Sequence, residues 1–250
     1  MLTTERHEMI LNLLKEKQIV TIQEITDVTD ASESTIRRDL TELEKRGDLE
    51  RVHGGARFNE RKVQEYSISE KESQNLQEKI EIAKYAASLV KDGDCIFLDA
   101  GTTTIQLIPF LQHKDVIVVT NGLPHIDLLT KHGITSYVTG GLIKAKTGAL
   151  IGPQAIKSLN DFCFDLCFLG VNGFHYEFGY NTPDPEEAHI KQTAHKLAKV
   201  SYVLADHSKH KKVSFSKIFD LAKARLITSN LPKNEVETLS EITDIKGLST

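Results

Sequence analysis

Residues 32–40 read S-E-S-T-I-R-R-D-L, and no other stretch of this length constrains the fold as much. Ser32 is a good N-cap, because its hydroxyl can accept a hydrogen bond from a free N–H of the first helical turn. Asp30, with Glu33 three residues on, is a competing start signal. Ile36, Leu40 and Leu43 recur at spacings of four and three, which gives one buried face. Ser34, Thr35, Arg37, Arg38 and Thr41 fall outside that stripe. A helix inserted in a major groove needs short hydroxyls and arginines near its N-terminal end, where they reach base edges and phosphates together. Taken alone, the run is equally a surface helix with a solvated arginine pair.

The neighbouring segments favour the DNA-reading alternative. Residues 4–17 place Met9, Ile10, Leu13 and Leu14 at helical spacing, with Glu5 early and Lys15 and Lys17 late, as the helix dipole favours. Thr21 and Glu24 form a capping-box pattern that opens a short apolar segment of Ile22, Ile25 and Val28. Helix, short helix, turn and helix is the order of a helix-turn-helix. Gly47 stops the third helix, residues 49–52 and 56–58 read as strands, and His53-Gly54-Gly55 reads as a tight turn. That hairpin is a wing, placed to lay Arg51, His53 and Arg57 along a phosphate backbone or minor groove.

Three runs carry a family resemblance: R-H-E-M-I-L-N-L-L from Arg6, S-E-S-T-I-R-R-D-L-T-E-L-E from Ser32, and R-V-H-G-G-A from Arg51. In this order they resemble the N-terminal winged helix-turn-helix of the DeoR family of bacterial transcriptional repressors. The resemblance implies a double-stranded operator as partner.

Charge does not announce a DNA-binding protein. The chain carries a formal net charge of -4, and its first 60 residues hold nine Lys/Arg against thirteen Asp/Glu. Binding must rest on local charge at Arg37, Arg38, Lys45, Arg46, Arg51, Arg57, Arg61 and Lys62, with Glu5, Glu8, Asp27 and Asp30 turned away from the duplex. Nonspecific affinity scales with the phosphates neutralised, so a single copy should bind modestly and paired half-sites should matter. A homodimer or homotetramer is expected. No apolar run approaches 18 residues and no hydrophobic signal core opens the chain, which predicts a cytoplasmic protein with no membrane partner. Cys95, Cys163 and Cys167 each fall in an apolar run and read as buried, reduced thiols; no metal or cofactor is expected.

Residues 59–76 are polar and charged with few apolar anchors, which suits a linker between a DNA-binding domain at 1–58 and a second domain at 77–250. The second domain opens on a helix at 77–91, with Ile80, Ala83, Ala87 and Val90 on one face. Strand-like runs at 95–98, 116–119, 135–139, 165–171, 202–205 and 225–228 then alternate with helical ones at 104–111, 124–131, 153–159, 186–198 and 233–239. That alternation predicts an α/β domain with a mainly parallel sheet, whose ligands bind beyond the carboxyl ends of the strands.

Polar clusters gather at those ends. Asp99-Ala-Gly101-Thr102-Thr103-Thr104 follows a strand and precedes a helix, where glycine permits close backbone approach and hydroxyls join outward N–H groups in cradling a phosphate. A capped strand-to-helix turn has the same composition, and the G-K-[ST] of a Walker loop is missing. Thr120-Asn121-Gly122, Thr139-Gly140-Gly141, Gly170-Val171-Asn172-Gly173 and Asp206-His207-Ser208-Lys209 close other strands. Lys209 offers a cation, Asp206 an acceptor for sugar hydroxyls, and Asn121 and Asn172 both donor and acceptor. Lys79 and Lys191 are further candidate cations.

In this order the clusters are similar to the sensor domain of the same family. The resemblance implies a fold like ribose-phosphate isomerase and glucosamine-phosphate deaminase, and a phosphorylated sugar as inducer. It also implies effector roles for Lys79, Thr102 to Thr104, Asp206 and Lys209. The subtype D-A-S-E-S-T-I-R-R-D-L resembles regulators of fructose operons, which implies fructose 1-phosphate. A rival class is an active sugar-phosphate isomerase or deaminase with a DNA-binding appendix, enlisting Glu186, Glu187, Asp165 and His175 as acid and base. Gly170-Val171-Asn172-Gly173 places an amide where those enzymes carry an acid, so no catalytic residue is assigned. A structural or interaction module would explain neither the arginine pair nor the wing.

Overall fold

The structure, a computed structural model, describes residues 3–46, 48–58 and 67–249. Gly47 and residues 59–66 of the expected linker, Arg61 and Lys62 among them, lie outside the described residues. Contacts divide the chain into two compact units, Met1–Arg61 and Lys62–Thr250.

The first unit runs α1 (Thr3–Lys17), β1 (Ile19–Thr21), α2 (Ile22–Thr29), α3 (Glu33–Arg46), β2 (Leu49–Val52) and β3 (Gly55–Phe58). Ile10 and Leu14 of α1, Ile25 of α2, and Ile36, Leu40 and Leu43 of α3 close one fully buried core. Thr21 and Glu24 make the capping box that starts α2. Ser32 caps α3 by accepting the Thr35 N–H at 3.4 Å. The rival start signal fails, because Asp30 is the left-handed C-cap of α2 at φ 53°. Val28 is exposed while Thr29 is buried, so the apolar pattern of α2 was misphased at its end. The wing gains a third strand that the sequence pattern did not suggest, giving the order β1-β3-β2. The two wing glycines serve that arrangement. Gly54 turns at φ +79°, and a Cβ on Gly55 would lie 2.1 Å from the Val20 carbonyl of β1.

The second unit begins with α4 (Ile68–Glu72) and α5 (Leu76–Ser88). There follow β4 (Cys95–Leu98), a 3₁₀ helix at Thr104–Leu111, β5 (Ile117–Thr120), α6 (Leu123–Lys131) and β6 (Thr135–Val138). A hairpin, β7 (Leu142–Lys144) and β8 (Ala149–Ile151), leads through α7 (Pro153–Leu159) to β9 (Phe164–Gly170). A second hairpin, β10 (Gly173–His175) and β11 (Gly179–Thr182), precedes α8 (Pro185–Lys196) and β12 (Ala198–Ala205). The chain ends with β13 (Ser216–Phe219), β14 (Arg225–Ser229), α9 (Lys233–Ser240) and β15 (Ile245–Leu248).

Seven strands pair in parallel in the order β15-β14-β12-β9-β4-β5-β6. Alternation along each strand feeds two cores. Ile96, Leu98, Phe168 and Leu204 pack with Ile82, Ala86, Leu107 and Leu129 on one face. Phe97, Cys167, Leu169 and Val203 pack with Ala155, Leu159, Ala188 and Ile190 on the other. Central strands buried on both faces explain the nearly unbroken apolar runs.

From β4 the chain builds outward to β5 and β6, and then returns to place β9 on the other side of β4. The β4–β9 boundary is therefore the topological switch point, where such sheets open a crevice at their carboxyl ends. Several expectations needed correction. Residues 104–111 form a 3₁₀ helix containing Pro109, not an α-helix. The buried face of α5 uses Ile82 and Ala86 as well as Ala83 and Ala87, and half-buries Ile80. Cys163 is exposed ahead of β9 and Cys95 is partly exposed, leaving Cys167 as the buried thiol of the three.

Candidate functional site

The first candidate site is the outer face of α3 with the wing. Ser34 and Thr35 turn their hydroxyls toward Ser32 Oγ, at 3.0 and 2.9 Å. Arg37 is exposed and donates to Glu33 Oε2 one turn back at 3.2 Å. Arg38 is exposed and, among the described residues, its guanidinium makes no hydrogen bond or ion pair. Thr41 donates to the Arg37 carbonyl at 2.8 Å and accepts Arg51 Nη1 at 3.1 Å, so its hydroxyl is spent joining helix to wing. The Arg51 N–H adds a second tie, to Glu44 Oε1 at 2.9 Å. His53 is exposed at the hairpin turn, and Arg57 pairs with Glu50 across the strands at 2.6 Å. Thr41 and Arg51 thus join α3 to the wing, whereas Arg57, paired across the strands with Glu50, lies on the wing face opposite Arg51.

Behind them lies a latch that the sequence pattern did not disclose. Asp39 is buried and accepts Arg6 Nε at 2.6 Å and Arg6 Nη2 at 3.1 Å, with His7 Nε2 at 3.2 Å. Burial works to raise its carboxyl, but Arg6 and His7 outweigh that and hold it below the usual carboxylate range. The residue next to the arginine pair thus bolts α3 to α1 from behind. Its signal in the sequence was only that an acid occupies the turn just before the apolar Leu40.

The second candidate site is a cavity at the carboxyl ends of β4, β9 and β12. Gly101, Thr102 and Thr103 line it from the β4 end, Gly170 to Asn172 from the β9 end, and Lys79, Lys191 and Lys209 from α5, α8 and the turn after β12. The N–H groups of Thr102 and Thr103 take no partner among the described residues. Donors for an anion therefore come from the loop itself, rather than from an α-helix behind it. Lys209 donates no side-chain hydrogen bond among the described residues, whereas Lys79 donates to the Lys71 carbonyl. Burial pushes the Lys79 ammonium down, Asp206 pulls it up, and Lys209 adds to the lowering. Asn172 accepts the Thr182 hydroxyl at 3.2 Å and still faces the cavity.

Four expected contact residues support the wall instead of lining it. Asp99 Oδ2 is buried, accepts the Gly170 N–H at 2.9 Å and pairs with Lys191. Burial pushes this carboxyl up while Lys191 pulls against it. Thr104 donates to the carbonyls of Asp99 at 2.6 Å and Gly101 at 3.0 Å, which folds the loop over. Asn121 accepts the Ala100 N–H at 2.9 Å and donates to the Leu150 carbonyl at 3.2 Å. Asp206 is buried and accepts Asn75 Nδ2 at 2.9 Å and the Ser208 N–H at 3.0 Å. Burial acts to raise it, and Lys209, Ser208, Asn75 and Lys79 outweigh that. Glu187 and Thr147, by contrast, do line the cavity. Sequence reasoning had given Glu187 only a catalytic part and had passed over Thr147, because nothing local links residue 147 to residue 187.

The catalytic alternative does not assemble. Asp165 lies at the amino end of β9, away from the carboxyl ends that form the cavity, and pairs with Lys199 at 2.6 Å. Glu186 is exposed, and His175 packs against Phe178 with ring centroids 5.1 Å apart. Only Glu187 of the four faces the cavity.

Residues 6–62 match the DeoR-like helix-turn-helix domain, and residues 74–230 match the DeoR C terminal sensor domain. The chain belongs to the DeoR family. It is 48% identical over 98% of its length, and 98% of the relative's, to the uncharacterized HTH-type transcriptional regulator FruR of Bacillus subtilis (strain 168). It is 32% identical to the putative aga operon transcriptional repressor of Escherichia coli O157:H7, over 95% of this chain and 90% of that one. The ribose 5-phosphate isomerase A of Methanocaldococcus jannaschii superposes with a TM-score of 0.42 at 20% identity, covering 55% of each chain. The DeoR-family protein is thus a DNA-binding transcriptional repressor and not an enzyme. None of its described helices is long and apolar enough to cross a membrane.

Proposed function

We propose that this DeoR-family repressor controls a cytoplasmic sugar-utilisation operon, binds its operator as a dimer or tetramer, and is released by a phosphorylated sugar. The cavity at the β4–β9 switch point carries the reading. It joins unpaired N–H groups of Thr102 and Thr103, the free cation Lys209 and polyol partners such as Asn172 in one place. The phosphate is assigned to the 101–103 loop, Lys79 and Lys209, and the hydroxyls to the side lined by Asn172, Thr147 and Lys191. Asp99, Thr104, Asn121 and Asp206 act by holding that wall in place.

On the DNA side, Arg38 enters the major groove with Ser34, Thr35 and Arg37 beside it. Thr41 sets the wing, and Arg51, His53 and Arg57 follow the backbone. Relatives at similar identity include the lactose phosphotransferase system repressor of Staphylococcus epidermidis, 33% identical over 95% of each chain. That name and the aga operon name support sugar control. The D-A-S-E-S-T-I-R-R-D-L subtype favours fructose 1-phosphate over other esters. For release, the ester must bind the free and operator-bound states with different affinity. Calorimetric titration with a panel of phosphorylated sugars tests the reading. Saturable binding of one ester without turnover is expected, and steady consumption of an ester would reverse it.

A further inference from the structure

We infer that Glu187 makes the sensor cavity selective for a sugar with one phosphate and an uncharged far end, excluding bisphosphates and phosphorylated acids. The inference rests on the sugar-phosphate reading above and specifies which members of that class fit. The charges around the cavity fall into two separate sets. Lys79 lies within electrostatic reach of Lys209, Asp206 and Glu72. Glu187 lies within reach of Lys191 and Lys144. The lining thus groups Lys79 with Lys209 and with Lys71, whose carbonyl accepts the Lys79 ammonium, and groups Glu187 with Thr147 and Lys191.

The second group has no cation to spare. Lys191 is buried and is paired with Asp99. Lys144 holds Asp184 at 2.6 Å and Glu187 at 3.1 Å. Glu187 is itself buried, and burial would raise its carboxyl, but Lys191, Lys144 and Thr147 together keep it below the usual range. It is therefore an anion at neutral pH.

Its bonding leaves one oxygen for a ligand. The Thr147 hydroxyl at 2.8 Å and the Lys144 ammonium at 3.1 Å both bind Oε1. Oε2 accepts nothing among the described residues, yet it is not one of the sealed, unpartnered polar atoms. An ionised acceptor on a cavity wall takes a hydroxyl donor in a charge-assisted bond. A carboxylate, or a second phosphate in the dianionic form that dominates at neutral pH, has no proton to donate there and would face a fixed anion where water screens poorly.

The test is calorimetric titration of the full-length protein with fructose 1-phosphate and with fructose 1,6-bisphosphate. The wild-type chain should prefer the monophosphate by about tenfold or more. Glu187→Gln keeps size and an acceptor oxygen but removes the charge, so the preference should shrink to about twofold, mainly through tighter bisphosphate binding. Glu187→Asp keeps the charge and shortens the reach. It should weaken the monophosphate and still reject the bisphosphate. An unchanged preference in the glutamine variant overturns the inference, and so does a wild-type chain that takes both esters equally. The wild-type ratio decides the matter alone should a variant fail to fold. Binding of neither ester, with inorganic phosphate and other sugar phosphates also inert, overturns the sugar-phosphate reading itself and this inference with it.

Discussion

The two candidate sites use cations in opposite ways. On α3 the functional side chains lie within ten residues of one another on the side away from the core, and the buried Asp39 adds a polar tie to the apolar stripe that orients the helix. Around the cavity, partners come from distant parts of the chain, as with Asp99 and Lys191, Thr147 and Glu187, or Asn75 and Asp206 in the wall behind. There the buried cations are balanced one by one, Lys191 by Asp99 and Lys79 by its proximity to Asp206, and the half-buried Lys209 is left without an ion pair among the described residues. A surface that meets a polyanion can leave Arg38 unpaired because water solvates it until DNA arrives. A pocket for a small anion must pre-position charge out of water, and each uncompensated group there is costly.

The sharpest way to break this contrast is to strip the latch. Asp39→Ala leaves Arg6 partly buried without a partner and should destabilise the DNA-binding unit by about 3 kcal/mol. In calorimetric melting the sensor unit should be untouched, and a uniform fall of both transitions would show that the division into two units is wrong.

Acid should do the reverse. His125 is buried beneath Thr120, whose hydroxyl lies 2.8 Å from Nδ1, and burial lowers its imidazole to about 4. The unfolded chain takes up that proton near pH 6.5 and the folded chain not until about 4. Between those values the unfolded state binds more protons, so stability falls as pH drops through the window. The full effect is on the order of 3 kcal/mol. Melting of the sensor transition at pH 7 and pH 5 should show the loss, and His125→Gln should flatten it.

Smaller effects separate the two ligands. Arg38→Ala should weaken operator binding about 10- to 100-fold with sugar-phosphate affinity unchanged, as read by fluorescence anisotropy and calorimetry in parallel. Arg57→Ala, removing a backbone contact already shared with Glu50, should cost less. It should lower the slope of log K against log salt by about one, without changing sequence preference. Equal losses for Arg38 and Arg57 would argue against a base-reading role for the former.

The same contrast explains what could be read from sequence. The capping box of Thr21, the Ile36-Leu40-Leu43 stripe and the turn at Gly54 are local patterns and appear as expected, whereas Gly55 opens β3 instead of completing the turn. Central strands were legible as apolar runs, because burial on both faces leaves little else there. Strand β1 was not, since three residues carry no period and their pairing partner, β3, lies more than thirty residues on. Nor were the two hairpins that flank the cavity. At the site, the 101–103 loop and Lys209 were visible as strand-end chemistry. Glu187, Thr147 and the supporting bonds of Asn121 and Asp206 depend on contacts that only the assembled sheet creates. Composition could not separate a side chain that lines a cavity from one that holds its wall.

The central claim, that one end of the chain grips duplex DNA while an anion-selective pocket in the other governs that grip, has a direct test. Fluorescent operator duplex bound to the full-length protein is titrated with fructose 1-phosphate, and anisotropy is followed for the wild type and for Lys209→Ala. The wild type should release the duplex, whereas the variant should bind it as tightly beforehand and hold it through the titration. Equal release from both proteins, with the pocket's free cation removed from one of them, would contradict the account.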